Sequence, residues 1–419
     1  MATPTLEPLP DHRDTVIVVG TSLRKSLVVL QPYFASLAWQ ELPPRTRLHY
    51  VFVDDFAADQ SDARDFVREW LKERGGELLR SVPGAVGDFA DGPEHVTHQW
   101  SLNAMRRVGA NKNKILRRAL ELKADYAFFA DSDLIMDTTT LASLIAVEKP
   151  IATAVYWTHW QKQRSETQRL YAQPQVWLRH PYMLDGRGMD AAEFLTKLVN
   201  REVTRVWGFG ACTLINRKVL ETGIDFSPAL DIPQQGLMAG EDRQYCIKVE
   251  RGHIDAFADP WPDIFHIYHA DQRAAIPEMV SRLAAPHPTT PAFGALVALR
   301  LEALEPLPHA NGGWMQIARQ FVRGRLGALP LMPELEEAVY GMQRGDVQIV
   351  PVHCPVHYTM PYLRGKRRLV RVQLVDTKPL AFPPVLEDEL RVSRLSQRMT
   401  HEATLTPQQR DGVKELALA

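Results

Sequence analysis

The sequence has few cysteines and no long hydrophobic run. Its three cysteines, Cys212, Cys246 and Cys354, lie far apart without CxxC spacing, which excludes a disulfide framework and a cysteine zinc site. No stretch approaches the roughly 20 apolar residues that cross a bilayer. The polar, proline-bearing N-terminus has no signal core. We therefore expect a soluble, cytoplasmic protein with no transmembrane segment.

The sequence also lacks an excess of charge of either sign. It contains 49 Lys and Arg residues against 50 Asp and Glu residues, a net charge of −1. This balance gives no electrostatic reason to expect a nucleic-acid partner. A basic cluster near the C-terminus leaves peripheral membrane contact open, with a solvated face as the alternative; it comprises Arg364, Lys366, Arg367, Arg368 and Arg371.

Short apolar runs alternate with helix-like segments over much of the chain. The apolar runs, which are typical of buried strands, lie at 15–19, 49–53, 126–130 and 151–156. Helices are expected at 27–37, 61–74 (capped by Ser61 and ended by Gly75), 111–122 and 241–250. This alternation predicts an α/β fold with a mixed, mostly parallel sheet flanked by helices.

The length of 419 residues allows two to three domains. We divide the chain into a flexible segment at 1–14, an α/β domain at 15–275 and an appended region at 276–419, where prolines become dense. We expect the appended region to be mostly helical, with one strand at 369–375. Its role cannot be derived from the sequence.

Acidic side chains follow two of the expected strands. Asp54 and Asp55 come after the second apolar run, and Asp131 and Asp133 come after the third. Ligands of α/β sheets bind at the carboxyl ends of strands, and residues i and i+2 of a strand share a face. Asp131 and Asp133 can therefore converge on one cation, and their oxygens suit Mg²⁺ or Mn²⁺. A polar turn is the alternative.

A second acidic pair, Glu241 and Asp242, follows Gly240 at the expected start of a helix. A positioned carboxylate there can accept the proton of an attacking hydroxyl. Acids in a first helical turn also interact favourably with the helix dipole, which is the structural alternative.

Aromatic residues crowd the segment 156–182, and Trp207 follows it. The flat faces and polar edges of Trp and Tyr suit a pyranose or an aromatic acceptor. We take Trp157 and Trp207 as candidate acceptor-binding residues, with core packing as the alternative.

Several motifs in order carry a resemblance to a known family over residues 15–272. They are VIVVGTS, HYVFVDDFAADQS, NKNKILRRAL, FFADSD, WGFGACTLINRKVLETGIDF, GEDRQYCIKVERGH and IFHIYH. Together they resemble the nucleotide-sugar glycosyltransferases of the GT-A fold, in particular the family 2-like group. The resemblance implies a GT-A-like, Rossmann-type sheet and transfer of a sugar from a UDP- or GDP-linked donor.

The resemblance also implies where the donor binds. Asp54 or Asp55 would contact the base or ribose, and Asp131 the ribose or the metal. The second strand ends in VDDFAADQS rather than in the common Asp-Gly-Ser form, so it stays open which aspartate meets the base. Asn111 and Lys114 are further donor-site candidates because they begin the expected helix. For its basic side chains, a solvated helix face is the alternative.

For catalysis, the resemblance implies a Mn²⁺ or Mg²⁺ site and a general base. Asp131 and Asp133 would ligate the metal, and His266, or else His269, would complete the site. Asp242 would be the base of an inverting transfer, with Glu241 as its neighbour or substitute. The acceptor is a glycan, lipid, peptide or small molecule. The alternatives are a sugar-phosphate nucleotidyltransferase and a non-catalytic nucleotide-sugar-binding module.

Overall fold

The computed structural model describes residues 14–82, 102–159, 172–178, 191–199, 201–210, 212–229, 231, 240–268, 270–292, 295–306, 314–326, 331, 333–353, 365 and 367–378. His269, Arg364 and Lys366, which the sequence singled out, lie outside these ranges. Within them, no helix combines the length and the apolar character needed to cross a membrane.

The strands and helices of the first 275 residues alternate along the chain. The strands are β1 (Thr15–Gly20), β2 (Ser22–Leu23), β3 (Thr46–Asp54), β4 (Gly76–Arg80), β5 (Tyr126–Ala130), β6 (Leu134–Met136), β7 (Ile151–Ala154), β8 (Trp157–His159), β9 (Ala172–Pro174), β10 (Val176–Trp177), β11 (Thr204–Val206), β12 (Gly208–Phe209), β13 (Cys212–Asn216), β14 (Ala256–Asp259) and β15 (Ile264–His266). The helices are α1 (Leu27–Ala38), α2 (Ser61–Arg74), α3 (Leu102–Glu121), α4 (Thr140–Ala146), α5 (Ala191–Val199), α6 (Arg217–Leu220), α7 (Glu241–Arg251) and the 3₁₀ helix Ala270–Ala275.

A nine-stranded sheet lies at the centre of the molecule. Its strand order is β11-β14-β7-β13-β5-β1-β3-β2, and β4 also pairs with β3. The pairings among β1 to β5 are parallel, whereas β13 runs antiparallel between β5 and β7. The prediction of an α/β fold with a mixed, mostly parallel sheet is therefore confirmed.

Helices cover both faces of this sheet. Ile17 and Val19 of β1 belong to the core under α1 and α2, which includes Phe34. Val18, between them in sequence, belongs to the core under α3 and α7, which includes Ile115. Since alternate residues of a strand point to opposite faces, strands buried on both faces read as continuous apolar runs.

Helix α3 is longer than predicted. It begins at Leu102 rather than near Asn111, so Asn111 and Lys114 lie in its middle and not at its start. The helix continues through Gly109, where an added Cβ would lie 2.6 Å from the Phe226 carbonyl oxygen. This close packing requires a glycine at position 109, although glycine has a low intrinsic helix propensity. A prediction from local propensity therefore places the start of α3 too late in the sequence.

Helix α2 spans the predicted residues 61–74, but its first residue was misassigned. Gln60 occupies the N-cap position, so Ser61 is the first helical residue and not the cap. Gly75 ends the helix with a φ of 77°, a left-handed conformation that glycine adopts easily, as predicted.

The described residues of the appended region are built mainly on strands, and for them the prediction of a mostly helical region is wrong. It contains α8 (Ile276–Leu283), β16 (Leu296–Pro306), β17 (Trp314–Arg325), α9 (Pro333–Tyr340), β18 (Val347–His353) and β19 (Arg367–Lys378). The strands form an antiparallel sheet in the order β17-β16-β19-β18, and β19 contains the strand predicted at 369–375. The sequence of β16, LVALRLEALEP, is rich in helix-forming Leu, Ala and Glu. Cross-strand packing overrides that local preference.

A buried junction of charged groups joins this second sheet to the central one. Lys378 donates to Asp137 Oδ2 and to the Trp261 carbonyl, both at 2.7 Å. The Trp261 indole donates to Asp376 at 2.7 Å. The His287 ring lies between the two acids, with Nδ1 2.9 Å from Asp376 Oδ2 and Nε2 3.6 Å from Asp137 Oδ2. Since buried charges require partners, these contacts fix the second sheet beside β6.

Candidate active site

Asp131 and Asp133 lie on the turn that follows β5. The strand ends at Ala130, and the Asp131 carbonyl accepts a hydrogen bond from the Leu134 amide at 3.1 Å. The two aspartates are therefore brought together by a turn and not by a shared strand face, which corrects the reason given for their convergence. The turn still faces the carboxyl edge of the parallel strands, where ligands of such sheets bind.

Asp133 is almost buried and lies between a lysine and a histidine. Its side chain is 7% exposed, with Lys25 Nζ 2.8 Å from Oδ2 and His266 Nε2 3.6 Å from Oδ1. Burial acts against ionisation, but Lys25 and His266 override it and hold the pKa of Asp133 well below its usual range. Among the described residues, Oδ1 of this carboxylate is buried without a hydrogen-bond partner.

Strand β15 brings His266 to this carboxylate. Its antiparallel pairing with β6 places His266 opposite Leu134. The Nδ1 atom lies 2.8 Å from Thr158 Oγ1, and the ring packs edge-on to Tyr156 with centroids 5.2 Å apart. A histidine with one nitrogen held by a neighbour and the other directed at a carboxylate is oriented as metal-ligating histidines are.

Asp133 and His266 fit a hard divalent cation that takes few ligands from the protein. An ionised carboxylate with an unpartnered oxygen and an oriented imidazole are suitable donors. Within the described part of the chain, no group of three or more His, Cys, Asp or Glu side chains could hold a metal ion. The remaining ligands would therefore come from substrate phosphate oxygens, as is common for Mg²⁺.

Asp131 lies where the charges of both acidic pairs meet. Burial raises the pKa of Asp131 to about 8; Lys112 opposes this rise, and Asp133, Asp242 and Glu241 add to it. The structure thus brings together the acids after β5 and the acids at the start of α7, which are about 110 residues apart in sequence.

The second acidic pair shares one buried lysine. Glu241 and Asp242 form the first turn of α7, and Lys112 Nζ lies 2.9 Å from Glu241 Oε1 and 2.6 Å from Asp242 Oδ1. Lys112 is 2% exposed, so a solvated helix face is wrong for this residue. The Asp242 side chain is 26% exposed against 9% for Glu241. Asp242 is therefore the acid that a substrate can reach.

The surroundings of Asp242 strengthen it as a base. Burial raises its pKa to about 6, Lys112 opposes the rise, and Glu241 adds to it. A carboxylate with a pKa near 6 binds a proton more strongly than an ordinary aspartate does. It is still largely ionised at neutral pH, which is the combination that a general base requires.

The two aspartates after β3 have different surroundings. Asp54 forms an ion pair with Arg64 of α2, whose Nε lies 2.9 Å from Oδ2. Asp55 is 2% exposed, accepts a hydrogen bond from the Ser81 hydroxyl at 2.6 Å and pairs with Arg107 of α3. Asp54 thus joins the loop to α2, whereas Asp55 faces α3.

Asn111 belongs to the same polar group as Asp55. Its amide donates to Ser22 Oγ at 3.0 Å and to Ser81 Oγ at 2.9 Å. Lys114, one turn further along α3, donates to the Arg80 carbonyl at 2.5 Å. Asn111 therefore lies with the candidate donor residues, and Lys114 contacts the end of β4.

The structure does not bring Trp207 to the acids. Its indole donates to Glu250 at 2.5 Å, eight residues along α7 from Asp242. Eight residues of α-helix span roughly 12 Å. Trp157 is half-buried against the core under α3 and α7.

Three residues near the acids were not assigned from the sequence. Lys25 and Lys112 contact acids more than 100 residues away, so no local pattern indicates them. Tyr156 is buried; burial first, and then Asp131, raises its pKa well above the usual range. The FADSD segment predicts only the acids themselves.

Trp177 contacts the residue that follows Asp242 in the chain. Its ring lies under the guanidinium of Arg243, which follows Asp242, at 5.5 Å from the ring centroid. It also fills the space beside Gly208, where an added Cβ would clash with the indole. Trp177 is therefore a better candidate than Trp207 for contact with an acceptor.

Comparison with known proteins gives a similar sequence whose name states its protein class. No protein-family model matches the chain. A segment of 147 residues is 28% identical to a "Glycosyltransferase 25 family member" of Drosophila pseudoobscura pseudoobscura, covering 34% of this chain and 22% of that protein. The relative is a glycosyltransferase, as the motifs predicted, although its family number is 25 and not 2. The chain thus spans about a fifth of the relative's length.

Solved structures also match part of the chain, at weak similarity. GalNAc-T7 with UDP, GalNAc and Mn²⁺ has a TM-score of 0.41 at 14% identity, covering 62% of this chain and 45% of that one. S. aureus TarS 1–349 with UDP has 0.36 at 15%, covering 65% and 64%. The mannosyltransferase PcManGT from Pyrobaculum calidifontis with GDP-Man and Mn²⁺ has 0.34 at 15%, covering 64% and 63%.

Proposed function

We propose that the protein is a glycosyltransferase that moves a sugar from a UDP- or GDP-linked donor to an acceptor nucleophile. The observation that carries this proposal is the convergence of Asp131 and Asp133, after β5, with Asp242, at the start of α7. The two aspartates after β5 suit the binding of a cation-bound diphosphate, and Asp242 suits proton transfer from an attacking hydroxyl. The 147-residue similarity to a glycosyltransferase family member supports the same reaction class.

Asp133 and His266 would hold Mn²⁺ or Mg²⁺, with Asp131 beside them. When bound, such a cation stabilises the negative charge that develops on the departing diphosphate. Lys25, whose ammonium lies 2.8 Å from Asp133, adds positive charge at the same place and orients that carboxylate.

Asp242 would accept the proton of the acceptor hydroxyl as the oxygen attacks the anomeric carbon. The bond between that carbon and the diphosphate oxygen breaks as the new bond forms. Attack opposite to the leaving group inverts the anomeric configuration. Glu241, which is more buried and bound to Lys112, supports Asp242 rather than replacing it.

Asp55, and not Asp54, is our candidate for contact with the nucleotide. Asp55 and Asn111 share Ser81, whereas the carboxylate of Asp54 is bound to Arg64 on the neighbouring helix. We expect the acceptor to be a glycan, lipid, peptide or small molecule. Trp177 is our candidate for contact with it, because its ring packs against Arg243, which follows the base. A cytoplasmic location stays a prediction.

The test is a transfer assay with UDP- and GDP-sugars, Mn²⁺ and a panel of acceptors. We expect Asp242→Asn to bind donor normally and to lose at least about a hundredfold in transfer, because the proton acceptor is gone. Asp255→Asn, at a surface ion pair with Arg205, is the matched control and should retain activity. A chelator should abolish donor binding in both variants.

Other outcomes would contradict the proposal in recognisable ways. Transfer retained by Asp242→Asn would exclude Asp242 as the base. Pyrophosphate release from a nucleoside triphosphate and a sugar phosphate would identify a nucleotidyltransferase. Donor binding without turnover on any acceptor would identify a binding module.

A further inference from the structure

Lys112 contacts both acids at the start of α7 from a different helix. It lies in the middle of α3, and its Nζ is 2.9 Å from Glu241 and 2.6 Å from Asp242. We propose that Lys112 is a positioning residue that, together with Glu241, fixes the orientation of the Asp242 carboxylate and keeps it ionised. The proposal rests on the role of Asp242 as the base in the proposed function.

The ammonium of Lys112 is confined on several sides. Its Nζ lies over the Phe226 ring, 5.1 Å from the centroid, and Phe226 stacks on Tyr245 of α7 at 4.3 Å. The two carboxylates occupy the other side. Because a lysine that is 2% exposed has few alternative rotamers, its position transmits that of α3 to Asp242.

The two acids have unequal parts in this arrangement. Glu241 is 9% exposed and accepts from Lys112 without facing solvent, whereas Asp242 keeps 26% of its side chain exposed. Lys112 bound to Asp242 alone would neutralise the base. Shared with Glu241, it orients the base and leaves the three groups with a net charge of −1.

The titratable groups that face Asp242 come from several elements, and among the described residues Lys112 is the cation in direct contact with it. The other groups are Asp131 after β5, Tyr156 after β7, and Glu241 and Cys246 on its own helix. Without Lys112, Glu241 and Asp242 would face each other and Asp131 in a partly buried space. One of them would then take up a proton near neutral pH, and the base would be lost.

The experiment compares Lys112→Met and Glu241→Gln in the full chain. We expect Lys112→Met to move the midpoint of the acidic limb in the pH profile of kcat/KM upward by about one pH unit or more. The same variant should lower kcat at least tenfold at pH 7, with donor KM little changed. Glu241→Gln should shift the same limb downward, because Lys112 then acts on Asp242 alone. Lys112→Arg should recover part of kcat.

Lys248→Met is the matched control. Lys248 lies on α7, the helix of Asp242, and binds Asp225 at 2.5 Å, away from Asp242. A merely structural role for Lys112 predicts equal losses of folded protein in Lys112→Met and Lys248→Met, with no shift of the limb. If Lys112→Met does not fold, the downward shift in Glu241→Gln decides. A limb unmoved or raised in that variant overturns the proposal.

A second readout separates this proposal from the proposed function. The carboxyl carbon of Asp242, labelled with ¹³C and assigned by its loss in Asp242→Asn, can be titrated without any substrate. Opposite shifts in the two variants support the proposal even if no donor is turned over. Unchanged titration in both, with transfer intact, overturns it and leaves the proposed function standing.

Discussion

Two neighbouring aspartates with the same side chain have different roles at this site. Asp54 ends β3 and holds α2 through Arg64, and Asp55 is buried beside Ser81 and Arg107. The difference arises because successive residues at a strand end point in opposite directions. A one-residue shift would exchange the two roles.

This difference predicts unequal effects on donor binding. Asp55→Asn should weaken the binding of UDP or GDP at least tenfold, since a charged hydrogen-bonding group is worth about 1.5–3 kcal/mol. Asp54→Asn should change that affinity less than about threefold and lower stability slightly through the loss of an ion pair. Calorimetric titration of both variants with nucleotide checks this. Equal losses would assign the nucleotide to both residues.

At the residue level, the acids could be predicted from the sequence but their cations could not. Strand ends that carry Asp131 and Asp133 are recognisable because the apolar run stops there. Lys25 and Lys112 reach the acids through tertiary contacts across more than 100 residues. Both lysines lie in ordinary basic segments of the sequence, so the pattern alone favours solvent exposure of their side chains.

Among the secondary-structure elements, the end of β1 is closely packed against its neighbours. Gly20 ends this strand between β3 and α3, and an added Cβ would lie 2.5 Å from the Val51 carbonyl oxygen and 2.6 Å from Ile115 Cγ2. The missing side chain lets α3 lie directly on the sheet. That contact determines how far Lys112 and Asn111 of α3 lie from the ends of the strands.

Gly20→Ala should therefore destabilise the protein by about 2 kcal/mol, because an extra methyl group in a filled core forces backbone shifts. Urea unfolding followed by circular dichroism measures the loss. Gly341→Ala is the control: its nearest neighbour would be an Ala338 carbonyl oxygen at 3.6 Å, an ordinary contact. Equal stability of the two variants would show that α3 can move away from β1.

The elements themselves were predictable to different degrees. The buried parallel strands were found because their apolar runs are short, continuous and separated by helices. The start of α3 was missed because Gly109 packs against Phe226, and β16 was missed because its Leu and Ala residues favour helix. In both cases a contact distant in sequence overrides the local preference.

For the whole molecule, the junction between the two sheets depends on ionised groups. Burial lowers the pKa of His287, but hydrogen bonds to Asp137 and Asp376 outweigh that effect and raise it to about 9. The ring is therefore a cation at neutral pH, with each nitrogen directed at a carboxylate. The second sheet is held by charge as well as by packing.

The sign of the resulting pH dependence follows from the raised pKa. His287 stabilises the folded protein fully below its unfolded pKa of about 6.5, and this contribution disappears as the pH rises through about 9. The contribution is on the order of 3 kcal/mol. We expect the difference in the free energy of unfolding between wild type and His287→Gln to shrink between pH 6 and pH 10.

Denaturant unfolding at pH 6, 8 and 10 measures this difference. His353→Gln, on the exposed side of β18, is the matched control for the loss of an imidazole. A difference that stays constant from pH 6 to pH 10 would mean that His287 contributes by packing alone.

The short strand β6 makes the chain hard to divide. Asp133 precedes it, Asp137 follows it, and Lys378 from the far end of the described chain neutralises Asp137. A truncated chain that stops near residue 275 would leave the carboxylate of Asp137 without His287 and Lys378, four positions from the candidate metal ligand. Removing one partner of a buried ion pair costs about 3–5 kcal/mol. Expression of residues 1–275 alone should therefore yield poorly folded material with impaired cation binding.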